Sequence, residues 1–406
     1  MNQFRFGRWY LIKLVVAAAC LSSHAQNWVL TSANTNYDWQ GVACSTNAAK
    51  IVAVSYDDGY GNGGVVSTST NMGGNWFQSG APTNYSWQAV ACSADGNKLI
   101  AVANEDLNGN AGPIYSSTNA GKTWRLTTAP TNYWLAVASS ANGAKLYAVD
   151  SGSGDGLIYT STNSGTNWAA TSAPMDYWAG ISVSADGSEA VAVDSGFGDG
   201  SIYICTNSGL TWNVTAAPNN PWTCASMSSN GVVMAAANSG FGDGLVYVST
   251  NAGVAWNATS APPDQWASVV VSANGGVIVA ADSGYGDGLI YISTNTGVSW
   301  TAGGTLGFWN SVAASADGSV LSAVAYPGGT YLWEGAPELG IARSGTNLLL
   351  SWQNFVSASG FAPQQNTNLA SANWVNVTNQ SLLTNGLSLV TLPMASAGNH
   401  FYRLKK

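Results

Sequence analysis

Seven tryptophans recur along this 406-residue chain at a nearly constant interval. The successive intervals are 48, 47, 44, 44, 44 and 43 residues. A period in the forties is typical of one supersecondary unit copied along a chain, and such a repeat decides the architecture before any local feature does. The seven residues, called here the ring tryptophans, are Trp39, Trp87, Trp134, Trp178, Trp222, Trp266 and Trp309.

Each repeat contains four short runs of alternating apolar residues. In the unit that begins at Trp178, the turn sequences ADGS, SGFGDG and TNSG separate these runs. Such runs predict four antiparallel strands, A to D, and radial repetition of four-stranded units predicts the blades of a β-propeller. With 18 Trp and only 8% charged residues, the composition excludes a charge-driven disordered chain.

A second motif recurs at the predicted turn between strands C and D. It reads STNMGGNW at 69–76, and then STNAGKTW, STNSGTNW, CTNSGLTW, STNAGVAW and STNTGVSW. This motif resembles the Asp-box of sialidases, sorting-receptor ectodomains and photosystem II assembly factors, with Asn in place of the usual Asp. Asn also caps backbone N–H groups, and Gly supplies the positive φ. The motif positions are Asn71, Gly73, Trp76, Asn119, Gly121, Trp124, Asn163, Gly165, Trp168, Asn207, Gly209, Trp212, Asn251, Gly253, Trp256, Asn295, Gly297 and Trp300.

The resemblance implies a propeller whose Asp-box turns lie on the face opposite the active site. It does not imply sialidase activity, because sialidases grip a carboxylate with three arginines. Beyond the N-terminal leader only Arg125, Arg343 and Arg403 remain, and Arg125 directly follows a motif Trp. The other two arginines lie in the C-terminal region, so we do not expect the three to converge.

The seventh repeat stops after three strands, and the missing strand is found at the other end of the chain. Trp28 precedes Trp39 by eleven residues, which is the gap between Trp76 and Trp87. We therefore expect residues 27–31 to pair beside 331–333, which closes the ring and removes an open sheet edge. The predicted fold is all-β: a seven-bladed propeller over 27–335, closed by an N-terminal outer strand and followed by a small β-sandwich-like module over 338–406.

Residues 1–25 read as a signal peptide, with basic residues, a short apolar run and a small-x-small cleavage site. Cys20 lacks the Leu that usually accompanies a lipid-attachment cysteine, so we expect an exported protein without a lipid anchor or a membrane span. Cleavage changes the net charge from −8 to −11, which argues against nucleic acid as a partner. We expect a monomer in which Cys44, Cys92, Cys205 and Cys224 are free thiols.

The B–C and D–A loops should share the face opposite the Asp-box turns. Aromatic side chains near this face are candidates for stacking on sugar rings. The candidate ligand-binding residues are Tyr85, Trp87, Tyr133, Trp134, Tyr177 and Trp178. The alternative, which the strict repetition of the ring tryptophans favours, is that they pack between adjacent blades.

The B–C loops repeat the pattern D-S-G-x-G-D-G, which has two interpretations. Its carboxylates are candidate calcium ligands, since calcium prefers several oxygen donors in a flexible arrangement. These candidates are Asp150, Asp155, Asp194, Asp199, Asp282 and Asp287. Two carboxylates per loop are fewer than a strong calcium loop has, and the alternative is a Gly-rich hairpin in which Asp caps the turn.

Catalysis by a glycosidase requires two carboxyl groups about 5 Å or about 6.5–9.5 Å apart. Asp57, Asp58, Glu105 and Asp106 lie in the least repetitive loops of this face, and Asp38, Asp176 and Asp264 also lie there. Three hypotheses follow. The leading one is an exported non-catalytic propeller that binds glycan or an extracellular protein. The alternatives are a glycoside hydrolase that uses the first-named carboxylates and a cell-surface scaffold.

Overall fold

The computed structural model describes residues 28–58, 60–152, 154–196, 200–284, 287–334, 339–353, 362–368, 373–384, 387–393 and 400–405. The chain contains two compact units, one spanning Gln26–Gly335 and the other containing Ala336–Lys406. The predicted signal peptide over 1–25, with Cys20, lies outside the described residues. Within the described ranges, no helix has the length and apolar character needed to cross a membrane.

The first unit consists of seven four-stranded antiparallel sheets, each a blade with the strand order A-B-C-D. This confirms the predicted seven-bladed propeller. The innermost strands, A, are β2 (Trp39–Cys44), β6 (Tyr85–Cys92), β10 (Trp134–Ser139), β14 (Trp178–Val183), β18 (Trp222–Met227), β22 (Trp266–Val271) and β26 (Trp309–Ala314). The next strands, B, are β3 (Ile51–Ser55), β7 (Leu99–Asp106), β11 (Leu146–Asp150), β15 (Ala190–Asp194), β19 (Met234–Asn238), β23 (Ile278–Asp282) and β27 (Val320–Ala325).

The two outer strands are shorter than the inner ones in blades 1 to 5. Strands C are β4 (Val66–Ser69), β8 (Ile114–Ser117), β12 (Ile158–Ser161), β16 (Ile202–Cys205), β20 (Val246–Ser249), β24 (Gly288–Ser293) and β28 (Gly329–Glu334). Strands D are β5 (Phe77–Gln78), β9 (Arg125–Leu126), β13 (Ala169–Ala170), β17 (Asn213–Val214), β21 (Asn257–Ala258), β25 (Thr301–Gly307) and, for blade 7, β1 (Val29–Leu30). A 3-10 turn, Gly240–Gly242, lies in the B–C loop of blade 5.

Burial explains why strand B reads as a continuous apolar run while strand D does not. Every residue of β3 and β11 is buried, whereas both residues of β5 and β9 are exposed. Strand B lies between two neighbouring blades and is covered on both faces. Small Ala and branched Val, as in Ala53 and Val54, suit that confined space because they fill it with little loss of side-chain entropy.

The ring tryptophans lie at or near the start of the A strands and are the largest fully buried side chains in the propeller. Each is at most 1% exposed. In blades 2 to 7 the indole contacts a strand-C tyrosine edge-on, with ring centroids 5.7 Å apart for Trp87 and Tyr115 and 4.9 Å apart for Trp309 and Tyr331. Edge-to-face packing favours the opposite charges of ring face and ring edge. In blades 2 to 7 the ring tryptophan therefore links strand A to strand C.

The A–B turns are linked to one another in a closed ring of backbone hydrogen bonds. Each turn has the sequence Ser-x-Asn or Ser-x-Asp, in which the Ser hydroxyl donates to the Asn or Asp oxygen and accepts a later backbone N–H. In blade 3, Ser140 Oγ lies 2.9 Å from Asn142 Oδ1 and 3.0 Å from Lys145 N. Backbone bonds between these turns join consecutive blades, and all the groups belong to middle residues except the donor Asn274. The N-to-O pairs are Thr46–Ala94, Ala94–Ala141, Ala141–Ala185, Ala185–Ser229, Ser229–Ala273, Asn274–Ala316 and Ala316–Thr46.

The last of these links joins blade 7 to blade 1, and the N-terminal strand completes blade 7. Val29 pairs with Leu332, and Leu30 pairs with Tyr331. Trp28 is buried against Trp309, with ring centroids 5.9 Å apart. The predicted closure by an N-terminal outer strand is therefore confirmed.

The C–D turns follow the expected hydrogen-bonding pattern and show an additional feature. In blade 2, Ser117 Oγ accepts from Gly121 N at 3.0 Å, and Asn119 Oδ1 accepts from Thr123 N at 2.9 Å. The residue between Asn and Gly also has a positive φ in each of these turns, and at Thr296 its value is 58°. That N–H donates to the A–B turn of the same blade, as Ala120 N does to Asn97 O at 2.8 Å. The A–B and C–D turns therefore share one face.

The second unit contains two antiparallel sheets with a common apolar core. One sheet contains β29 (Gly340–Ser344), β30 (Asn347–Gln353), β34 (Leu387–Pro393) and β33 (Leu382–Thr384), and the other contains β32 (Val375–Asn376), β31 (Ala362–Asn366) and β35 (Phe401–Lys405). Leu350, Trp352 and Val390 form the core, against which Tyr402 and Leu404 pack. The Arg403 guanidinium lies 4.4 Å from the centre of the Trp374 ring.

Replacement of Trp28 by Ala tests the closure of the ring. We expect Trp28→Ala to lower the free energy of unfolding by about 3–5 kcal/mol, because a buried indole leaves a cavity at the closing blade. Val29→Ala is the matched control on the same strand, because Val29 is 58% exposed, and its effect should stay under about 0.5 kcal/mol. Urea denaturation followed by tryptophan fluorescence measures both, and equal effects of the two changes would contradict this account of closure.

The positive φ of Thr296 gives a stabilising change. A β-branched residue is strained in the left-handed region, whereas Asn is tolerated there. We expect Thr296→Asn to raise the free energy of unfolding by about 1 kcal/mol. Ala252→Asn, at the equivalent position of the preceding blade with φ 54°, should give a smaller gain. The same denaturation assay measures both, and a loss of stability in Thr296→Asn would contradict the prediction.

Candidate functional site

The B–C and D–A loops are joined along the face opposite the A–B turns. Gly112 of the blade 2 B–C loop exchanges two backbone hydrogen bonds with Asn132 of the following D–A loop, at 3.1 and 3.0 Å. Asp176, Asn220 and Asp264 make the equivalent N–H donation to the preceding B–C loop. The two sets of loops therefore form one continuous surface, called here the loop face.

The ring tryptophans contribute no ring surface to the loop face. Trp87, Trp134 and Trp178 are each 0% exposed, so a sugar cannot stack on them. Strand A bulges just after each of them, as between Trp134 and Ala136, and the side chain is turned into the blade. The three residues belong to the core, as the alternative interpretation of their repetition proposes.

The tyrosines near the ring tryptophans differ in exposure. Tyr85 and Tyr177 are half-buried, and Tyr85 packs against Trp87 with ring centroids 5.9 Å apart. Tyr133 is 45% exposed, and its hydroxyl donates to Gly109 O at 3.1 Å. Tyr133 is therefore the ligand candidate with the most accessible ring of the six.

Other exposed apolar side chains of the loop face were not among the candidates. Tyr60 in the blade 1 B–C loop is 79% exposed, and Leu107 in the blade 2 loop is 53% exposed. Phe308, at the entrance to blade 7, is 39% exposed, and Tyr326, in the B–C loop of that blade, is 44% exposed. With Tyr133, these residues place exposed apolar side chains on the loop face at blades 7, 1 and 2 and at the entrance to blade 3.

Asp58 and Asp106 organise their own loops. Asp58 accepts hydrogen bonds from Tyr60 N at 2.9 Å and from Asn62 Nδ2 at 3.0 Å. Asp106 likewise accepts from Asn108 N at 2.8 Å and from Asn110 Nδ2 at 3.0 Å. The hydrogen bond from the asparagine side chain is the largest of the effects that lower the pKa of each carboxyl. A lowered pKa keeps both groups ionised, which does not suit a general acid.

Glu105 takes part in a cluster that joins blades 1 and 2. Its carboxylate accepts a hydrogen bond from the Tyr56 hydroxyl. This bond is the largest cause that raises the pKa of Tyr56, followed by burial. Asp38 lies close enough to act on the same hydroxyl through its charge. The cluster thus brings together side chains from three different loop segments.

Asp38 is the carboxyl in this cluster with the properties of a proton donor. Burial raises its pKa, and the neighbouring charge of Asp57 raises it further, while a hydrogen bond from Gln40 Nε2 at 2.9 Å lowers it. The backbones of Asp38 and Asp57 are also linked, at 3.3 Å between Asp38 N and Asp57 O. Like-charged carboxyls at one site separate in pKa, which is how acid and base roles become distinct.

The carboxylates at the ends of strand B do not fit a calcium site. Asp150 accepts from Leu157 N at 3.3 Å and from Asn132 Nδ2 at 2.7 Å. Asp194 accepts from Gly196 N at 2.7 Å and from Ser201 N at 2.8 Å. Oxygens that already accept from N–H groups have positive hydrogens around them, where a cation would be repelled.

Metal binding finds no other support on this face. Among the residues that the structure describes, no three acidic, histidine or cysteine side chains converge as metal ligands. Asp155 and Asp287 are exposed, and Asp199 lies outside the described residues. The four cysteines of the described ranges are free thiols, and burial raises the pKa of Cys224 to about 11, so this thiol is not a reactive nucleophile.

Charge is divided sharply between the two faces of the propeller. The B–C and D–A segments contain no Lys, Arg or His. By sequence position, fourteen of the 20 acidic residues lie in these segments or at the adjoining ends of strand B: Asp38, Asp57, Asp58, Glu105, Asp106, Asp150, Asp155, Asp176, Asp194, Asp199, Asp243, Asp264, Asp282 and Asp287. All basic residues of the propeller lie in or beside the A–B and C–D turns of blades 1 to 3: Lys50, Lys98, Lys122, Arg125 and Lys145.

Comparison with known proteins identifies the fold without identifying a family. No protein-family model matches the chain. No curated protein matches it either. The 1601 matching chains of solved structures include the GH74 xyloglucanase from Xanthomonas campestris, with a TM-score of 0.59 and 15% sequence identity. The match covers 81% of this chain and 59% of the xyloglucanase, so the chain spans less than two thirds of that enzyme.

Glu105→Gln tests the hydrogen bond at the centre of the cluster. We expect this change to lower the pKa of Tyr56, because the carboxylate that stabilises the protonated hydroxyl becomes a neutral amide. Absorbance of tyrosinate during a pH titration measures it. Subtracting the titration of Tyr56→Phe isolates Tyr56 from the other 16 tyrosines. An unchanged Tyr56 titration in Glu105→Gln would show that the two side chains do not interact.

Proposed function

We propose that this protein is an exported, non-catalytic propeller that binds glycan on its loop face. The observation that carries the proposal is the exposure of four aromatic side chains on the loop face, which also carries the cluster of Asp38, Tyr56 and Glu105. These side chains are Tyr60, Tyr133, Phe308 and Tyr326. Rings stack on the C–H faces of sugars, and carboxylates accept hydrogen bonds from sugar hydroxyls. The proposal includes cleavage of a signal peptide over residues 1–25, export of the protein, and the assignment of the C–D turns as an Asn form of the Asp-box.

The glycan is a neutral or amine-bearing polymer in this proposal. The loop face has many carboxylates and no cationic side chain, so uronic acids, sulfates and sialic acids are repelled there. The likeness to a xyloglucanase supports a glycan ligand at the level of the shared architecture. Function depends on the site rather than on the fold, so the loop face and its residues carry the argument.

A protein ligand is the alternative occupant of the same face. Tyr is common at the centres of protein interfaces, and the exposed tyrosines would also suit such a partner. A scaffold function has no comparable support, because it gives no reason for exposed aromatic side chains on one face. The experiment below therefore compares glycan with protein.

A glycoside hydrolase is the second candidate function, and Asp38 is the observation that favours it. Asp38 combines a raised pKa with a neighbouring carboxyl, Asp57, as a general acid in such an enzyme does. If the protein is a glycoside hydrolase, Asp38 protonates the leaving oxygen, and Asp57 or Glu105 acts as base or nucleophile. Asp58 and Asp106 hold the two B–C loops in place.

An array of neutral, amine-bearing and acidic polysaccharides, read for both binding and release of sugars, tests the proposal. We expect binding to neutral or amine-bearing polymers, with at least a tenfold loss of affinity (~1.4 kcal/mol) in Tyr60→Ala/Tyr133→Ala, because stacking surface is removed. Leu210→Ala, which alters a 72% exposed residue on the opposite face, is the matched control and should bind normally.

The outcomes separate the hypotheses. Binding without release of sugars supports the non-catalytic propeller. Release that is abolished by Asp38→Asn supports the hydrolase instead. Preferential binding to acidic polymers would contradict the electrostatic part of the proposal. Absence of binding to every glycan on the array would overturn glycan recognition and leave an extracellular protein as the partner.

A further inference from the structure

The same pair of positions on the loop face is occupied differently in four consecutive blades. One position lies two residues before the ring tryptophan, and the other ends strand B of the same blade. The pair is Asn132–Asp150 in blade 3, Asp176–Asp194 in blade 4, Asn220–Asn238 in blade 5 and Asp264–Asp282 in blade 6. The propeller therefore has amide–acid, acid–acid and amide–amide combinations at one pair of positions.

The amide–acid version shows how the contact works. In blade 3, Asn132 Nδ2 donates to Asp150 Oδ2 at 2.7 Å. This bond connects the D–A loop to the end of strand B without a titratable proton. The amide–amide pair of blade 5 contains no titratable group at all.

The acid–acid versions require a proton to make the same connection. Asp194 and Asp282 are each 3% exposed, and each occupies the position that Asp150 has in the blade 3 pair. Asp176 or Asp264 stands at the position of Asn132, and its charge contributes to the raised pKa of the buried carboxyl. Asp176 Oδ1 is used by Tyr177 N at 3.0 Å, and Asp264 Oδ1 by Gln265 N at 3.0 Å. Two carboxylates at these two positions repel, so we expect the pair to be most stable when one carboxyl group is protonated and donates to the other.

We propose that Asp176–Asp194 and Asp264–Asp282 are proton-operated latches, which hold the D–A loops of blades 4 and 6 in acid and release them as the pH rises. When the proton is lost, repulsion between the carboxylates moves the D–A loop away from the end of strand B. The inference concerns the motion of these loops and holds whether or not the face binds glycan.

The direction of the pH response follows from the raised pKa of the buried carboxyl. Burial is the largest cause that raises the pKa of Asp282, to about 6, and the charge of Asp264 adds to it. Burial likewise raises the pKa of Asp194, with a contribution from Asp176. A group whose pKa is higher in the closed state stabilises that state fully below the ordinary value of 3.8, and the stabilisation is lost as pH rises through about 6.

The other groups that face these pairs do not compensate. Tyr203 faces the blade 4 pair and Tyr291 faces the blade 6 pair, and burial raises the pKa of both above 10, so they stay neutral. Asp287 lies on the B–C loop of blade 6 and adds negative charge, while Asp199 of blade 4 lies outside the described residues. The loop segments contain no Lys, Arg or His that could hold the second carboxylate in place.

Hydrogen exchange of equivalent amides in the full-length protein tests the latches. Asp176 N, Asn220 N and Asp264 N donate to the preceding B–C loop at 3.1, 3.0 and 3.0 Å, so blade 5 is an internal control. Exchange is compared at pH 4.5 and 7.5 with EDTA present, after correction for intrinsic exchange. Between these pH values we expect protection to fall at least about tenfold more at Asp176 and Asp264 than at Asn220.

Two variants make the test decisive. Asp264→Asn/Asp282→Asn reproduces the blade 5 pair and should abolish the pH response in blade 6 while leaving that of blade 4 unchanged. Asn220→Asp/Asn238→Asp should create a response in blade 5. Equal responses in blades 4, 5 and 6 of the native protein, or an unchanged response in Asp264→Asn/Asp282→Asn, would overturn the proposal. If the installed pair prevents folding, the amide variant decides alone.

Discussion

The ring of backbone hydrogen bonds between A–B turns is the constraint on which the propeller depends. Each blade is a twisted four-stranded sheet that cannot bury both faces alone, so each needs a neighbour on either side. The turn residues supply that neighbour contact through the main chain, from Thr46 and Ala94 around to Ala316 and back to Thr46. Because the last link joins blade 7 to blade 1, the number of blades is fixed by the geometry of one repeated turn.

The seven links between A–B turns constrain one face of the propeller, so the blades can differ on the opposite face, the loop face. The A–B turns must present the same N–H and C=O groups in every blade, and the ring tryptophans must fill the same space. The B–C loops do not take part in these links between blades, so their sequences can vary. Blades 1 and 2 use Asp58 and Asp106 to organise longer loops, and these loops present Tyr60 and Leu107 to solvent. The asymmetric features of the molecule therefore collect on one face.

The sequence predicts the repeated parts of this structure well because repetition averages out local ambiguity. The interval between ring tryptophans gave the blade number, and Trp28 in the phase of the motif tryptophans gave the closing strand. The Ser-x-Asn or Ser-x-Asp pattern occurs in every A–B turn, but its side chains bond within their own turn. The pattern therefore does not indicate that the backbone of the turn pairs with the next blade. Tertiary contacts of this kind are invisible to local pattern.

The candidate site was harder to predict, since its members come from separate loops. The least repetitive loops contain the candidate carboxyls Asp57, Asp58, Glu105 and Asp106. Only the structure shows that Asp58 and Asp106 cap their own loops, whereas Glu105 bonds to Tyr56. Tyr56 lies 49 residues from Glu105, and nothing in either local sequence indicates their hydrogen bond. Asp38 had the right chemistry, but its raised pKa depends on burial and on Asp57, which are properties of the assembled fold.

The acids at the ends of strand B are not required by the fold. Asn238 caps its B–C loop through Oδ1, which accepts from Leu245 N at 3.2 Å, as Asp150 Oδ1 accepts from Leu157 N at 3.3 Å. An amide thus performs the same structural task without the desolvation that raises the pKa of Asp150 and Asp194. A buried carboxyl that costs stability, at a position where a neutral residue suffices, indicates a function for its charge or its proton. The acidity of the loop face is therefore better explained by what that face does than by how the propeller folds.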